Sequence, residues 1–560
     1  MKKINLFLVF LVICSALMSA HGMTADMPYS RNAVEILVVG MSVKVGSGDL
    51  NPHIFTYPHL FIYMLFFLYG LFFIFGKITG AFPSVSDFQD LYFQDPSAFY
   101  IIARCAVVFF MAATVVIVYL IAKRAFNKKI ANIAAAFMTF NIANVQISHY
   151  ATTDIPVLFF SMFAFLFILK ITESAGWRTY LLAGFLIGLA AATKYQAFFL
   201  VFSLILAHAL SFGGIKDLLK KVFDRRPFIA FGGVFAGFFL GSPFCVLDYR
   251  QFLAGAIRMS KTVSSLSYGF ATYRITESLP FYIVKAILPY AMGVIMAILC
   301  IIAVLYSAKK HTKIDKLFLG TIFIFLTYVI FSKWSYLKPR HIIHLFPLCF
   351  ILMGRLLYDF SGILFTENSR KRAFLICITA LILMPSFHRI WIYEKRLRTK
   401  PVELQAKEWV ELNIPAQTKI ASHDGIPIEP NKNSIRRKLR EVIDEKIGHG
   451  IKLKVMLKNR HLFEKTYDVY ELPYPWRLDY DEEDFDFDRD IKNGVKYFIF
   501  TGELSNYFNE PEKHQTQLAY YNSVKENCVL RKKFSSSFIR GELGSIEEDL
   551  YVLIYEYKKK

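Results

Sequence analysis

Cysteine is scarce where it could matter. Six of the seven, Cys14, Cys105, Cys245, Cys300, Cys349 and Cys377, fall inside apolar runs, and only Cys528 lies in polar sequence. That placement excludes a disulfide framework and a cysteine-ligated zinc site. Charge is also thin, with charged residues at 19% against 55% hydrophobic, and acidic residues are the scarcer sign, 44 against 65 basic. The resulting net charge of +21 is not gathered into a stripe that could bind nucleic acid. It is spread over short loops between apolar runs, where membrane orientation explains it and no nucleic-acid partner is called for. A repeat of about 20 to 50 residues is missing too, which excludes a solenoid.

What is present is apolar length. The 560 residues include 56 Phe and 31 Tyr, and mean hydropathy is +0.39. Many segments approach the length that spans a bilayer, so the chain reads as an α-helical polytopic membrane protein. Candidate spans lie at about 99–122, 130–148, 155–172, 179–193, 196–212, 227–246, 280–306, 317–332, 341–360 and 373–392. The run 4–21 adds a first span, with a cleavable signal peptide as its second reading, although Met18 is not the small residue that cleavage near Ala20 would want. The total is about eleven.

Basic loops at Lys123–Lys129, Lys216–Arg226, Lys309–Lys316 and Arg370–Arg372, with a weaker one around Lys170 and Arg178, are expected to face the cytoplasm. The C-terminus is then outside, in the plasma (inner) membrane of the cell. If Phe61–Gly76 also crossed, Lys123, Arg124, Lys128 and Lys129 would be reversed, so an interfacial or re-entrant helix is expected there. The chain thus divides into a membrane part, 1–395, with a first external loop at about 23–98, and an external α/β domain, 396–560. Within that domain Val402–Asn413 has helical spacing and stops before Pro415, while Thr418–Ala421, Tyr497–Thr501 and Leu550–Tyr557 read as strands.

This topology gathers four groups on the external side: the first external loop, the turn His149–Asp154, the turn Thr193–Tyr195 and the loop Ser332–His341. Asp154 precedes Ile155-Pro156 at the start of a span, where it is either a helix cap or a carboxylate with work to do, with His149 and two Thr hydroxyls beside it. Lys194, Lys333, Lys338 and Arg340 are cations on the side that the positive-inside bias disfavours, which points to an anionic ligand such as a lipid-linked phosphate. His341 and His344, one turn apart, read as interfacial histidines and not as zinc ligands. In the first loop Glu35 opens an amphipathic helix, and His53, Tyr57 and His59 stand around Pro52 and Pro58 in an irregular turn. A divalent metal held by Glu35 and Asp154 is an open possibility that no spacing demands. The acidic run Asp479–Asp488 lacks the glycine and spacing of a calcium loop and reads as solvated.

At these residues the chain resembles the polyprenyl-phosphate-dependent glycosyltransferases of the GT-C fold, in the branch similar to protein O-mannosyltransferases and the aminoarabinose transferase of lipid A. The resemblance rests on Gly48–His59, Asp95–Arg104, His149–Pro156, Gly188–Tyr195, Gly241-Ser242-Pro243 and Pro339-Arg340-His341, with Ala406–Pro415 outside the membrane part. It implies inverting transfer of a sugar from a polyprenyl-phosphate carrier to a hydroxyl of a glycan, lipid or protein acceptor on the outer face. It further implies Glu35 and Asp154 as catalytic carboxylates and Lys194, Arg340 and Lys338 at the donor phosphate, with His53, Tyr57, His59, His149, Tyr195 and His341 lining the substrate. The family's acidic pair in the first loop is reduced here to Val34-Glu35. Two other readings are a transporter or flippase, and a GT-C relative that has lost its chemistry.

Overall fold

The computed structural model describes residues 5–558, except 31, 174, 212–223, 265–274, 276–277, 333–336, 424–425, 443–452, 455, 459, 461–462, 473–484, 503, 510, 513 and 537–549. Lys333, the first part of the acidic run and most of the Lys216–Arg226 loop lie outside the described residues.

The membrane part opens with α1 (Leu6–Ala20), α2 (Ala33–Val45), α3 (Leu60–Thr79), α4 (Val85–Gln94) and α5 (Ser97–Ala125). Next come α6 (Lys128–Thr139), α7 (Ile142–Ser148), α8 (Asp154–Ile171), α9 (Trp177–Ala191) and α10 (Leu200–Leu210). Helices Arg225–Gly241, Val294–Lys310, Lys313–Phe331, Leu345–Leu364 and Asn368–Leu397 follow. Among the described residues six helices are long and apolar enough to cross a membrane, or seven if the α6–α7 pair, bent by 54°, is one span. This is a multi-pass membrane protein.

The count falls below the expected eleven because several apolar runs are shortened or broken. Gly293, at φ +86°, splits the run 280–306 into two helices, a backbone turn that glycine adopts without a steric penalty. The run 196–212 begins as a 3-10 turn, Tyr195–Phe199, before α10. The expected interfacial or re-entrant helix at 61–76 falls within the 20-residue α3, which by length and composition is among the six able to cross.

Close helix contact positions the end of α9. A Cβ on Gly184 or Gly188 of α9 would lie 2.0 or 2.2 Å from the carbonyl oxygens of Ala230 and Val234. On the facing helix a Cβ on Gly233 or Gly237 would lie 2.6 or 2.2 Å from the carbonyls of Leu181 and Phe185. Small residues four apart on both helices let the two backbones touch, as membrane helices without a hydrophobic drive between them require. Lys194 follows directly after α9, so this contact fixes where its backbone emerges.

The C-terminal part carries a five-stranded sheet in the order β2-β1-β3-β5-β4, with β1 (Lys419–His423), β2 (Asp468–Leu472), β3 (Tyr497–Thr501), β4 (Cys528–Ser536) and β5 (Leu550–Tyr557). Strand β1 is parallel to β2 and β3, and β5 runs antiparallel to β3 and β4. Helix Val402–Asn413 covers one face, packing Val402, Ala406 and Val410 on Ile420, Ile499 and Ile554. The other face buries Phe498 and Phe500 against Tyr520 and Val524 of helix Gln515–Asn527. With both faces covered, β3 reads as the continuous apolar run Tyr-Phe-Ile-Phe-Thr.

Candidate active site

Two ionic clusters meet at the turn between α7 and α8. The first is built on Arg104, near the start of α5 and almost fully buried. Its Nε and Nη2 donate to Glu35 Oε1 at 2.8 Å and Oε2 at 2.6 Å, and its Nη1 donates to Asp26 Oδ1 at 2.8 Å and to the Met23 carbonyl. Glu35 sits in the first turn of α2, whose amides are capped by Asn32. The Ser30 hydroxyl and the Ala151 amide, the latter at 2.7 Å, donate to the same carboxylate. A carboxylate has about four lone-pair sites, and all of those on Glu35 are taken.

The second cluster is built on Asp154, at the start of α8 just ahead of Pro156. Lys194 Nζ donates to Asp154 Oδ1 at 2.6 Å, and the Thr152 hydroxyl donates to Oδ2 at 3.1 Å. Arg340, in the 3-10 turn Pro339–His341, acts on Asp154 electrostatically together with Lys194. Burial, followed by the charges of Arg340, Lys194 and Lys338, holds His341 well below the ordinary histidine range, so its ring is neutral. His344 lies beside the same pair of charges, with its Nε2 2.7 Å from Gln196 Nε2. Lys194 and Arg340 therefore act on one carboxylate. Two cations beside a carboxylate suit an anion with a proton acceptor next to it.

The structure brings Asp154, Lys194, Arg340, Lys338 and His341 together, and it places Glu35 in the neighbouring cluster, tied to the same turn through Ala151. Tyr195 donates to the Phe55 carbonyl at 3.1 Å and packs on Phe252. His59 is buried, its amide bonded to Ser242 Oγ, and Tyr57 is half-buried in the same loop. Two expected substrate residues are held by other partners. His53 is exposed, with backbone φ +56°, and its Nε2 lies 2.7 Å from Asp49. His149 donates to the Val145 carbonyl through Nδ1 and faces Glu394 with Nε2. Glu35 and Asp154 each pair with a cation of their own, and no group of three His, Cys, Asp or Glu that could hold a metal occurs among the described residues.

Arg104, Asp26, Gln196 and His344 were not among the expected site residues. Arg104 had a sequence signal, an ionisable side chain inside a 29-residue apolar helix. Gln196 and His344 had none, since their meeting depends on helices 148 positions apart.

Residues 99–246, which carry Arg104, Asp154 and Lys194, match the family described as dolichyl-phosphate-mannose-protein mannosyltransferase. The match spans about a quarter of the chain. No curated protein matches it. Among solved structures, ArnT from Cupriavidus metallidurans bound to undecaprenyl phosphate is similar at 13% identity and TM-score 0.48, over 98% of this chain and 97% of that one. The oligosaccharyltransferase AglB from Archaeoglobus fulgidus, in complex with an inhibitory peptide and a dolichol-phosphate, is similar at 12% and 0.46, over 89% and 70%. The S. cerevisiae protein O-mannosyltransferase Pmt1-Pmt2 complex bound to the sugar donor is similar at 19% and 0.34, over 48% and 36%.

Proposed function

We propose that this glycosyltransferase moves a sugar from a polyprenyl-phosphate carrier to an acceptor hydroxyl on the extracytoplasmic face of the plasma membrane, with inversion. The observation that carries the reading is the Lys194–Asp154 pair with Arg340 beside it. Lys194 and Arg340 hold the donor phosphate. The acceptor hydroxyl attacks the anomeric carbon and gives its proton to Asp154. The bond from that carbon to the phosphate oxygen breaks, and the phosphate leaves with the electron pair, its growing charge met by the two cations. Positive charge at the anomeric carbon is balanced by the Asp154 carboxylate nearby.

Glu35 has a different task. With every lone pair occupied it cannot accept the hydroxyl proton, and it holds the 150–154 turn in place through Ala151. This also accounts for a first loop that has Val34 where the family usually shows a second acid: one carboxylate with lone pairs left, Asp154, is enough. The external domain packs on the loop 22–31 and helps to hold the acceptor.

The test is sugar transfer by the purified full-length protein from a panel of polyprenyl-phosphate sugars. Asp154→Asn is expected to lower the rate about 10²- to 10⁴-fold, the range for loss of a general base. Lys194→Ala is expected to weaken donor binding as well as the rate. Unaltered turnover in both variants would overturn the mechanism.

A further inference from the structure

His344 sits where the 3-10 turn meets helix Leu345–Leu364 and is about 1% exposed. Two contacts fix its ring. It stacks on Phe325 with centroids 5.1 Å apart and planes 24° from parallel, and its Nε2 faces the Gln196 side-chain nitrogen at 2.7 Å. An amide N–H can only donate, so Nε2 accepts and the ring proton is on Nδ1. Nδ1 is buried and has no hydrogen-bond partner among the described residues. A buried orphan donor beside a charged pair is unfavourable unless something accepts from it. The Lys194 and Asp154 charges that act on the ring show which site it borders.

We propose that His344 is a third ligand of the donor phosphate, its Nδ1–H donating to an oxygen that Lys194 and Arg340 also hold, with Gln196 setting the tautomer. This rests on the phosphate reading of the Lys194–Arg340 site. A neutral donor adds a directed hydrogen bond without deepening the positive charge, so the site can grip the phosphate and still release it after transfer.

The experiment measures the dissociation constant of a polyprenyl phosphate carrying no sugar for the full-length protein in nanodiscs. His344→Phe keeps the ring stack and removes the donor, and is expected to weaken binding about tenfold or more, the worth of one hydrogen bond to a charged group. His344→Asn places an amide N–H near the Nδ1 position and is expected to stay within about threefold of the wild type. Gln196→Leu releases the tautomer and should weaken binding while leaving His344 in place. Equal loss in the Phe and Asn variants would reduce His344 to packing and overturn the proposal. Wild-type binding by His344→Phe and Gln196→Leu, with Lys194→Ala weakened, would also overturn it while the phosphate reading stands. Wild-type binding by Lys194→Ala and Arg340→Ala would remove both.

Discussion

Glu35 and Asp154 are two buried acids joined to one turn, and their neighbours separate their roles. Arg104 is held by Glu35 and Asp26, and the trio is almost wholly removed from water. Taking one partner from a buried pair leaves an uncompensated charge. Glu35→Ala is therefore expected to destabilise the protein by about 3–5 kcal/mol, read as a lower midpoint in thermal unfolding of the detergent-solubilised chain. Asp154→Asn should move that midpoint far less, because Lys194 is partly exposed and can be hydrated. A variant pair that reversed this order would exchange the two assignments.

At the scale of elements, the α9 contact with helix Arg225–Gly241 sets the emergence of Lys194, and glycine is its condition. A methyl on Gly237 would stand 2.2 Å from the Phe185 carbonyl, against backbone that has no rotamer to turn aside. Gly237→Ala is expected to cost about 1–3 kcal/mol and to lower transfer activity along with stability, measured on the same preparation. In the sheet, His423 ends β1, packed against Phe500 and Tyr507, and burial pushes it down to about 3. Its folded value lies below its unfolded one, so the stability tied to its neutral form is whole above about pH 6.5 and is lost as pH falls towards 3. Between those limits the wild type should lose up to about 1.4 kcal/mol per pH unit relative to His423→Phe, followed by unfolding of full-length protein at pH 7, 6, 5 and 4. Parallel curves would show that His423 is not buried neutral.

The whole molecule is tied together across the segment between α1 and α2. On its inner side Arg104 holds Met23 and Asp26, and on its outer side Tyr29 donates to Glu429 at 3.0 Å and accepts from Lys407 at 3.1 Å. Glu429 is further paired with Arg460 at 3.1 Å. The C-terminal domain therefore grips the same loop that leads into Glu35. Glu429→Ala is expected to raise hydrogen exchange in residues 22–31 and to raise KM for the acceptor more than it lowers kcat. Unchanged exchange there would mean that the domain does not steady the loop.

The helices, the strands Tyr497–Thr501 and Leu550–Tyr557, and the gathering of Asp154, Lys194 and Arg340 were legible in the sequence. Hydropathy, turn residues and cation placement are local or nearly local signals, and they set which segments become helix and which ends face outward. Strands β2 and β4 were not legible, since Asp468–Leu472 and the charged Cys528–Ser536 are stabilised by neighbours on the sheet and not by their own pattern. Nor was the division of labour between the acids, because the Arg104–Glu35 and Lys194–Asp154 pairs join residues 69 and 40 positions apart. The sequence by itself determined a membrane bundle with a polar external rim. Tertiary packing alone decided which carboxylate is saturated and which stays open, since a lone pair is filled by whatever donor the fold carries to it.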